Sequence, residues 1–408
     1  AYMNQWIDYH NGFWEADLRI TCATGQTTAA ARLALKNGIW SLIQSVQVTM
    51  GGVTVQNSTH LPLYNHIRRL VEADLEWMDS HGQLNLFALD DKNTNDADEF
   101  EYDSKNVTGR NDSYNAGFDE RIRLMKLERT DVAGTASTFD FTARVPLKYF
   151  SVLFDAIKFP LRNIRMRLEF SIAGFTASDL FNSVMLQPGA APVNLTNAIL
   201  SMKPGGDASR LIVHTVEFKP DTEIAINSTL ASGMLKTVTY WDAKYIQSAK
   251  TPAAVQRADV TTLITPGITR PTRVWATFQD PANWNDNTTP LPCATDDRIS
   301  LETSNIEYNG TKIVQQDYKG DYLHFKNLQR ETFSGEDSSS NGSLVKWKNF
   351  KNGSQRWYVY NLTRSVEVQK KYTEFPSLRF VGTSYSSGSA AVPLNFLVEH
   401  ECELMINF

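Results

Sequence analysis

Three short blocks of this chain occur twice, in the same order, and a duplication restricts the fold more than any single motif does. FWEAD at Phe13–Asp17 resembles YWDAK at Tyr240–Lys244, with the run aromatic, Trp, acid, Ala, charge. SVQVTMGGVTV from Ser45 resembles SNIEYNGTKIV from Ser304, and Gly51 and Gly310 each stand six residues after the serine. YNHIRRL at Tyr64–Leu70 resembles YLHFKNL at Tyr322–Leu328, which sets His66 opposite His324. The second and third pairs recur at offsets that agree within one residue. Two like units are therefore expected, residues 1–222 and 223–408. The length agrees, because a single core stops growing at roughly 250–300 residues and this chain has 408.

The units read as β. In IQSVQVTMGGVTVQ the residues Val46, Val48 and Met50 fall on one face of an alternating strand, and Gly51-Gly52 supplies a hairpin turn. STFDFTARVPL, NIRMRLEFSI, ASRLIVHTVEF, MLKTVTYWDAKYI, PTRVWATFQD, QRWYVYNLTR and NFLVEHECELMINF alternate in the same way. Many short strands with few helical patterns predict an all-β sandwich or jelly roll rather than a parallel α/β fold. Three short helices are expected. One starts at Pro62, with an apolar stripe of Leu63, Ile67, Leu70, Val71, Leu75 and Met78; one lies in VPLKYFSVLFDAIKF; one runs from Asp221 to Gly233. Asp90–Asn115, acidic and rich in Asn, reads as a solvated surface loop, as does Phe333–Asn352.

Bulk properties exclude several classes. With 40 Lys+Arg against 45 Asp+Glu the net charge is -5, which argues against a protein that neutralises nucleic acid along its length. Cys22, Cys293 and Cys402 lie far apart, so neither a disulfide framework nor a thiolate metal site is expected. No apolar run reaches the roughly 18 residues of a membrane span, and the polar opening AYMNQWIDYHNGFWEADLRI is unlike a secretory signal. The chain begins with Ala rather than Met, and residues before it remain an expectation.

Catalytic templates fail at identifiable positions. His400-Glu401-Cys402-Glu403 is followed by Leu404, where a zinc-binding HExxH needs its second histidine. No Gly-Lys pair exists to form a phosphate loop. Gly382-Thr383-Ser384-Tyr385-Ser386 lacks the second glycine of a nucleophile elbow. Asp91, Asn93 and Asn95 match the first oxygen positions of a calcium loop, yet Asp96 stands where Gly must turn and Tyr102 where a bidentate Glu belongs. The seven histidines form no His-x-His pair, and His66 and His324 read as hydrogen-bonded structural residues. The sequons at Asn106, Asn111 and Asn361 read as coincidence in an Asn-rich chain. No catalytic, cofactor-binding or metal residue is assigned, and no cofactor.

The order of the segments is similar to that of the double jelly-roll major capsid proteins of virophages, Polintons and Polinton-like viruses, and more distantly to adenovirus hexon. The likeness rests on WIDYHNGFWEADLRI, NGIWSLIQSVQVTMGGVTVQN, LPLYNHIRRLVEADL and FDFTARVPLKYFSVLFDAIKFPLRNIRMRLEF, with GITRPTRVWATFQD and SNIEYNGTKI in the second half. It spans nearly the whole chain, which is short for the family. The resemblance implies two tandem eight-stranded jelly rolls related by a pseudo-twofold, and a homotrimer with a pseudo-hexagonal outline that tiles an icosahedral double-stranded DNA virus shell. Each subunit interface should bury on the order of 2,000 Å². Implied partners are neighbouring capsomers, penton and minor capsid proteins, and an internal membrane or the genome beneath the shell, with no small-molecule substrate. The implied location is the virion, assembled inside the host cell, and no enzymatic activity is implied. A scaffold or minor capsid component of the same fold, or a glycan-binding β-sandwich, are the alternatives.

Overall fold

A computed structural model describes residues 5–21, 31–35, 37–89, 116–125, 128–130, 138–172, 181–185, 199–206, 209–231, 235–250, 257–264, 267–278, 299–332, 344–351, 355–363, 375–386 and 392–407. The strands of the first half are β1 (Trp6–Thr21), β2 (Ala31–Leu35), β3 (Ile43–Met50), β4 (Val53–Ser58), β5 (Glu128–Thr130), β6 (Thr138–Pro146), β7 (Met166–Ile172), β8 (Phe181–Met185), β9 (Ile199–Met202) and β10 (Arg210–Val216). Those of the second are β11 (Leu235–Lys250), β12 (Arg257–Ile264), β13 (Pro271–Phe278), β14 (Ile299–Tyr308), β15 (Thr311–Lys312), β16 (Tyr318–Lys319), β17 (Tyr358–Asn361), β18 (Leu378–Ser386) and β19 (Pro393–Asn407). The helices are α1 (Leu61–Glu72), α2 (Leu75–Trp77), α3 (Ala116–Met125), α4 (Val152–Ala156), α5 (Pro220–Ala231), α6 (Gly320–Thr332) and α7 (Trp347–Lys351).

The second half forms two four-stranded antiparallel sheets, β11-β19-β13-β17 and β12-β18-β14-β15. Lettered B to I along the chain, with the short β16 left out, these are B-I-D-G and C-H-E-F, the strand order of a jelly roll. The first half repeats the order as β10-β1-β6 and β7-β3-β4, which are I-D-G and H-E-F. Here β5 extends the first sheet beyond β6, and β2 pairs with β8 as a separate ribbon. Among the described residues no sheet mixes strands of the two halves. The chain is a double jelly roll.

Structure places the repeat in one register. Hairpin β3–β4 closes on Met50↔Val53 around Gly51-Gly52, and β14–β15 closes on Tyr308↔Thr311 around Asn309-Gly310. All four turn residues have positive φ, 57° and 89° in the first turn and 49° and 82° in the second. That is the turn whose twist suits a two-residue hairpin, and it selects Gly or Asn. Gly310 therefore matches Gly52 rather than Gly51. With that one-residue correction the hairpins share a single offset with the pair His66 and His324. Burial agrees: Val46, Val48 and Met50 face the core, and so do Ser304, Ile306 and Tyr308.

FWEAD and YWDAK, by contrast, are not equivalent. FWEAD lies on strand D, whose counterpart at the common offset is β13, and YWDAK lies on strand B. Trp14 is buried while Trp241 is 43% exposed. Alternation on half-buried strands produces such likeness without descent, because the period of 2 rewards the same residue types everywhere. In the matched D strands the inward residues are Ala16, Leu18 and Ile20 in the first roll and Val274, Ala276 and Phe278 in the second, all buried.

Helix α1 ends earlier than its stripe predicts. Leu63, Ile67, Leu70 and Val71 are buried, but the Asp74 carboxylate accepts from the Trp77 N–H at 2.7 Å and caps a new turn, leaving Leu75 56% exposed. Ser151 likewise caps α4 by accepting from the Leu153 N–H, so the second expected helix is a 3₁₀ turn at Leu147–Tyr149 followed by a short α-helix. The third is α5, which begins at Pro220.

Candidate functional site

The two rolls meet along a seam made by β4 and α1 on one side and β11 and its neighbours on the other. In β11 the side chains of Val238, Tyr240 and Asp242 are buried. A carboxylate at such a position is costly unless hydrogen-bonded. Asp242 is satisfied across the seam: it accepts from the Ser58 hydroxyl, from Gln56 Nε2 at 3.0 Å, and from the Ala243 N–H at 2.9 Å. Gln56 in turn accepts from the Ser151 hydroxyl through its side-chain oxygen. The Tyr240 hydroxyl donates to the Val55 carbonyl, and the His60 ring stacks on Tyr245 with centroids 4.0 Å apart. His60 holds this position with a left-handed backbone, φ 61°, uncommon for a residue with a Cβ.

Charge continues along the same seam. Glu399 is 4% exposed and lies 3.1 Å from the Arg273 guanidinium. Burial raises its pKa, and Arg273 opposes the rise. Arg68 on α1, paired with Glu72 at 2.8 Å, adds positive charge near Glu399. Burial lowers the pKa of His400, against the pull of Asp242. The Cys402 thiol is pushed up to about 11 by burial, so it is not a reactive thiolate. Beyond these groups, the Leu344 N–H donates to the Leu70 carbonyl at 3.0 Å, and Trp357 packs its edge against His66.

His324 sits in a directed relay. Its Nδ1 faces the Gly320 carbonyl at 2.7 Å and so carries the proton, which leaves Nε2 to accept from the Ser304 hydroxyl at 2.7 Å. The Tyr360 hydroxyl donates to Ser304 at 2.5 Å. A serine next to a neutral imidazole is the spacing of a nucleophile and its base. Here Ser304 is 0% exposed and the residues around it seal it, so the group holds strand E, helix α6 and strand G together. Burial brings the His324 pKa down to about 4. Its twin His66 is brought down to about 3 by burial, with Arg121 adding to the shift. At the common offset Val46 replaces Ser304, and His66 packs against Phe87 and Trp357 instead. Sequence spacing identified the histidines but not Ser304 or Tyr360, because strand pairing rather than local periodicity brings them in.

The remaining motifs resolve simply. Ser384 lies mid-strand in β18, buried, and donates to the Ala258 carbonyl at 3.2 Å; it forms no elbow. Asn361 donates to Glu331 at 2.7 Å and accepts from the Thr363 N–H and hydroxyl. Asp91, Asn93, Asn95, Asn106, Asn111, Cys22 and Cys293 lie outside the described residues. Among the described residues no group of three or more His, Cys, Asp and Glu side chains has the geometry to hold a metal ion, and no helix is long and apolar enough to cross a membrane.

The outer face of β11 and β19 presents Trp241 and Met405, the latter 66% exposed, beside Arg270, which pairs with Glu403 at 2.8 Å and Glu401 at 3.3 Å. Ile224 on α5 is 68% exposed. Apolar side chains rimmed by charge are the usual make-up of a protein contact surface.

No family model matches the chain. No curated protein matches it either. Solved structures share its fold. A chain of the Sputnik virophage, solved by cryo-EM, superposes with a TM-score of 0.64 at 11% identity, covering 100% of this chain and 82% of that one. The mavirus major capsid protein gives 0.52 at 12% identity, over 98% and 82%. The Faustovirus major capsid protein gives 0.51 at 10% identity, over 100% and 86%. At these identities the likeness is one of fold.

Proposed function

We propose that this chain is a structural major capsid protein, a subunit of a virion shell rather than an enzyme. The observation that carries the reading is the union of two rolls of like strand order, β1 to β10 and β11 to β19, by a buried seam centred on Asp242, and we take the division as residues 1–222 and 223–408. A subunit with two similar lobes becomes a block of six lobes when three copies close around an axis, and such a block suits a hexagonal lattice. The fold shared with the mavirus and Faustovirus major capsid proteins supports the same reading. So does the chemistry: Ser304 and His324, a pair with nucleophile-and-base spacing, are sealed from substrate. Exposed Trp241 and Met405, with the Arg270 ion pairs, are suited to contact neighbouring subunits.

Native mass spectrometry of the purified protein tests this directly. A homotrimer is expected, and a monomer that persists at micromolar concentration would overturn the proposal. A stained gel of purified particles then distinguishes the main shell protein, which must dominate, from a scaffold or minor component.

A further inference from the structure

Strands E and F of the second roll bring together an amine, a carboxamide and a carboxylate. Asn305 on β14 is 0% exposed. Its side-chain oxygen accepts from the Ile306 N–H at 2.9 Å and faces the Val314 N–H at 3.5 Å. Its side-chain nitrogen donates to the Val314 carbonyl and to Asp317 Oδ1, both at 2.8 Å. That same carboxylate oxygen accepts from Lys312 Nζ on β15 at 2.9 Å. The two side-chain nitrogens therefore lie no farther apart than two hydrogen bonds laid end to end.

Strand pairing creates the juxtaposition. Register sets Lys312 opposite Glu307, which places it diagonally across from Asn305 on the same face of the hairpin. The first roll shows the same geometry with different residues. At the common offset stand Gln47 and Thr54, and Gln47 Nε2 donates to Thr54 Oγ1 at 3.2 Å. A Gln–Thr pair can only hydrogen-bond. A Lys–Asn pair gathered on a carboxylate has the parts of an acyl transfer: a nucleophile, an electrophilic carbon and a proton carrier. The backbone N–H groups of Ile306 and Val314 face the oxygen on which negative charge would develop.

We propose that Lys312 and Asn305 become joined by an isopeptide bond that the folded chain forms by itself. The neutral Lys312 amine attacks Asn305 Cγ, the Nζ–Cγ bond forms, the Cγ–Nδ2 bond breaks, and ammonia leaves. Asp317 takes the proton that the attacking nitrogen sheds and passes it to the departing nitrogen, so the step needs no co-reactant. The Lys312 side chain is 45% exposed, which leaves it room to swing from the carboxylate onto the amide and leaves ammonia a way out. An exposed ion pair contributes little by itself. The product replaces it with a covalent tie between strands E and F across the Asn309-Gly310 turn.

Intact-mass spectrometry of the folded 408-residue chain, incubated at about pH 9 so that more of the amine is neutral, tests this. The mass should fall by that of one ammonia. Trypsin should then fail to cut after Lys312 and release residues 299–319 as one peptide, since cleavage needs a free lysine. Lys312→Arg, which keeps the ion pair, should hold the full mass, and Asp317→Ala should slow the loss by roughly tenfold or more. An unchanged wild-type mass would overturn the proposal and leave an ion pair only. So would loss of ammonia with normal cleavage after Lys312, or the same loss in Lys312→Arg, because an asparagine would then have closed on its own backbone.

Discussion

Arg273 and Glu399 pair across strands D and I of the second roll at the place where Glu15 and Arg210 pair across D and I of the first, with the two charges exchanged. The environments differ. Glu15 also has Arg144, at 2.5 Å, and its two arginines keep its carboxyl below the usual range by hydrogen bonding; Arg144 and Arg210 are largely solvated. Glu399 lies at the seam with its pKa raised by burial. Removing Arg273 leaves a buried carboxyl without its nearest partner, so Arg273→Ala should destabilise by about 3 kcal/mol or more. Arg210→Ala should cost much less, because Arg144 remains and exposed pairs contribute little. Urea unfolding of the two variants checks the order.

Asp242 is the seam's central acceptor, and its removal acts on both rolls at once. Asp242→Ala strands the Ser58 hydroxyl, one Gln56 N–H and the Ala243 N–H, each a donor within the packed interior. Orphaned buried groups cost about 1–3 kcal/mol each, partly recovered by rearrangement, so a net loss of about 2–4 kcal/mol is expected. Asp242→Asn should lose less, since one acceptor oxygen survives. In differential scanning calorimetry the wild type should give a single transition and the alanine variant two, as the rolls begin to melt separately.

The turn residues offer a test of the corrected repeat. Gly52 and Gly310 have φ of 89° and 82°, and a Cβ at either would meet no neighbour within 4 Å, so the cost of substitution is conformational alone. Gly310→Ala and Gly52→Ala should each destabilise by about 1–2 kcal/mol. Asn309→Gly keeps the turn but removes the side-chain oxygen that accepts from the Ser377 N–H at 2.8 Å, so it should cost about 0.5–1.5 kcal/mol. Chemical denaturation of the three variants checks this, and clearly unequal losses in Gly52→Ala and Gly310→Ala would contradict the equivalence.

Much of this architecture was legible in the sequence, for reasons that differ by element. The hairpin at Gly51-Gly52 carries its geometry in its residues, and the alternation of Val46, Val48 and Met50 fixes its inward face. Strands β12 and β18 were less visible. RADVTTLI is polar at half of its positions, and the Gly-Thr-Ser within LRFVGTSYS interrupts its apolar alternation. Gly382 in that segment is small because an added Cβ would lie 2.5 Å from the Thr303 carbonyl, a close approach of strands that no local pattern announces. The seam was invisible, since Asp242 and Ser58 are far apart in sequence and both are ordinary strand residues. The equation of Trp14 with Trp241 failed because composition repeats along every half-buried strand, whereas facing does not.

Acid should weaken the fold, and the two buried histidines state the window. Burial holds the His66 pKa at about 3 and the His324 pKa at about 4, below the ordinary 6.5. Above pH 6.5 both folded and unfolded chains carry neutral imidazoles, and no penalty exists. Below it the unfolded chain takes up protons that the folded chain refuses, so stability falls with pH until the folded values are reached. Each histidine should remove on the order of 1–2 kcal/mol between pH 7 and pH 5. His400, also lowered, acts in the same sense. Glu399 acts oppositely: its raised pKa means the folded state binds the proton before the unfolded chain does, which adds stability as pH falls through the folded value. Glu399 and His400 therefore act on the wild-type slope in opposite senses, and the difference between proteins is the cleaner measurement. Urea midpoints at pH 7, 6 and 5 should fall for wild type, and should fall less for His66→Phe, whose aromatic ring can pack against Phe87 and Trp357 without titrating. Equal slopes in the two proteins would show that His66 is already free to protonate in the folded chain.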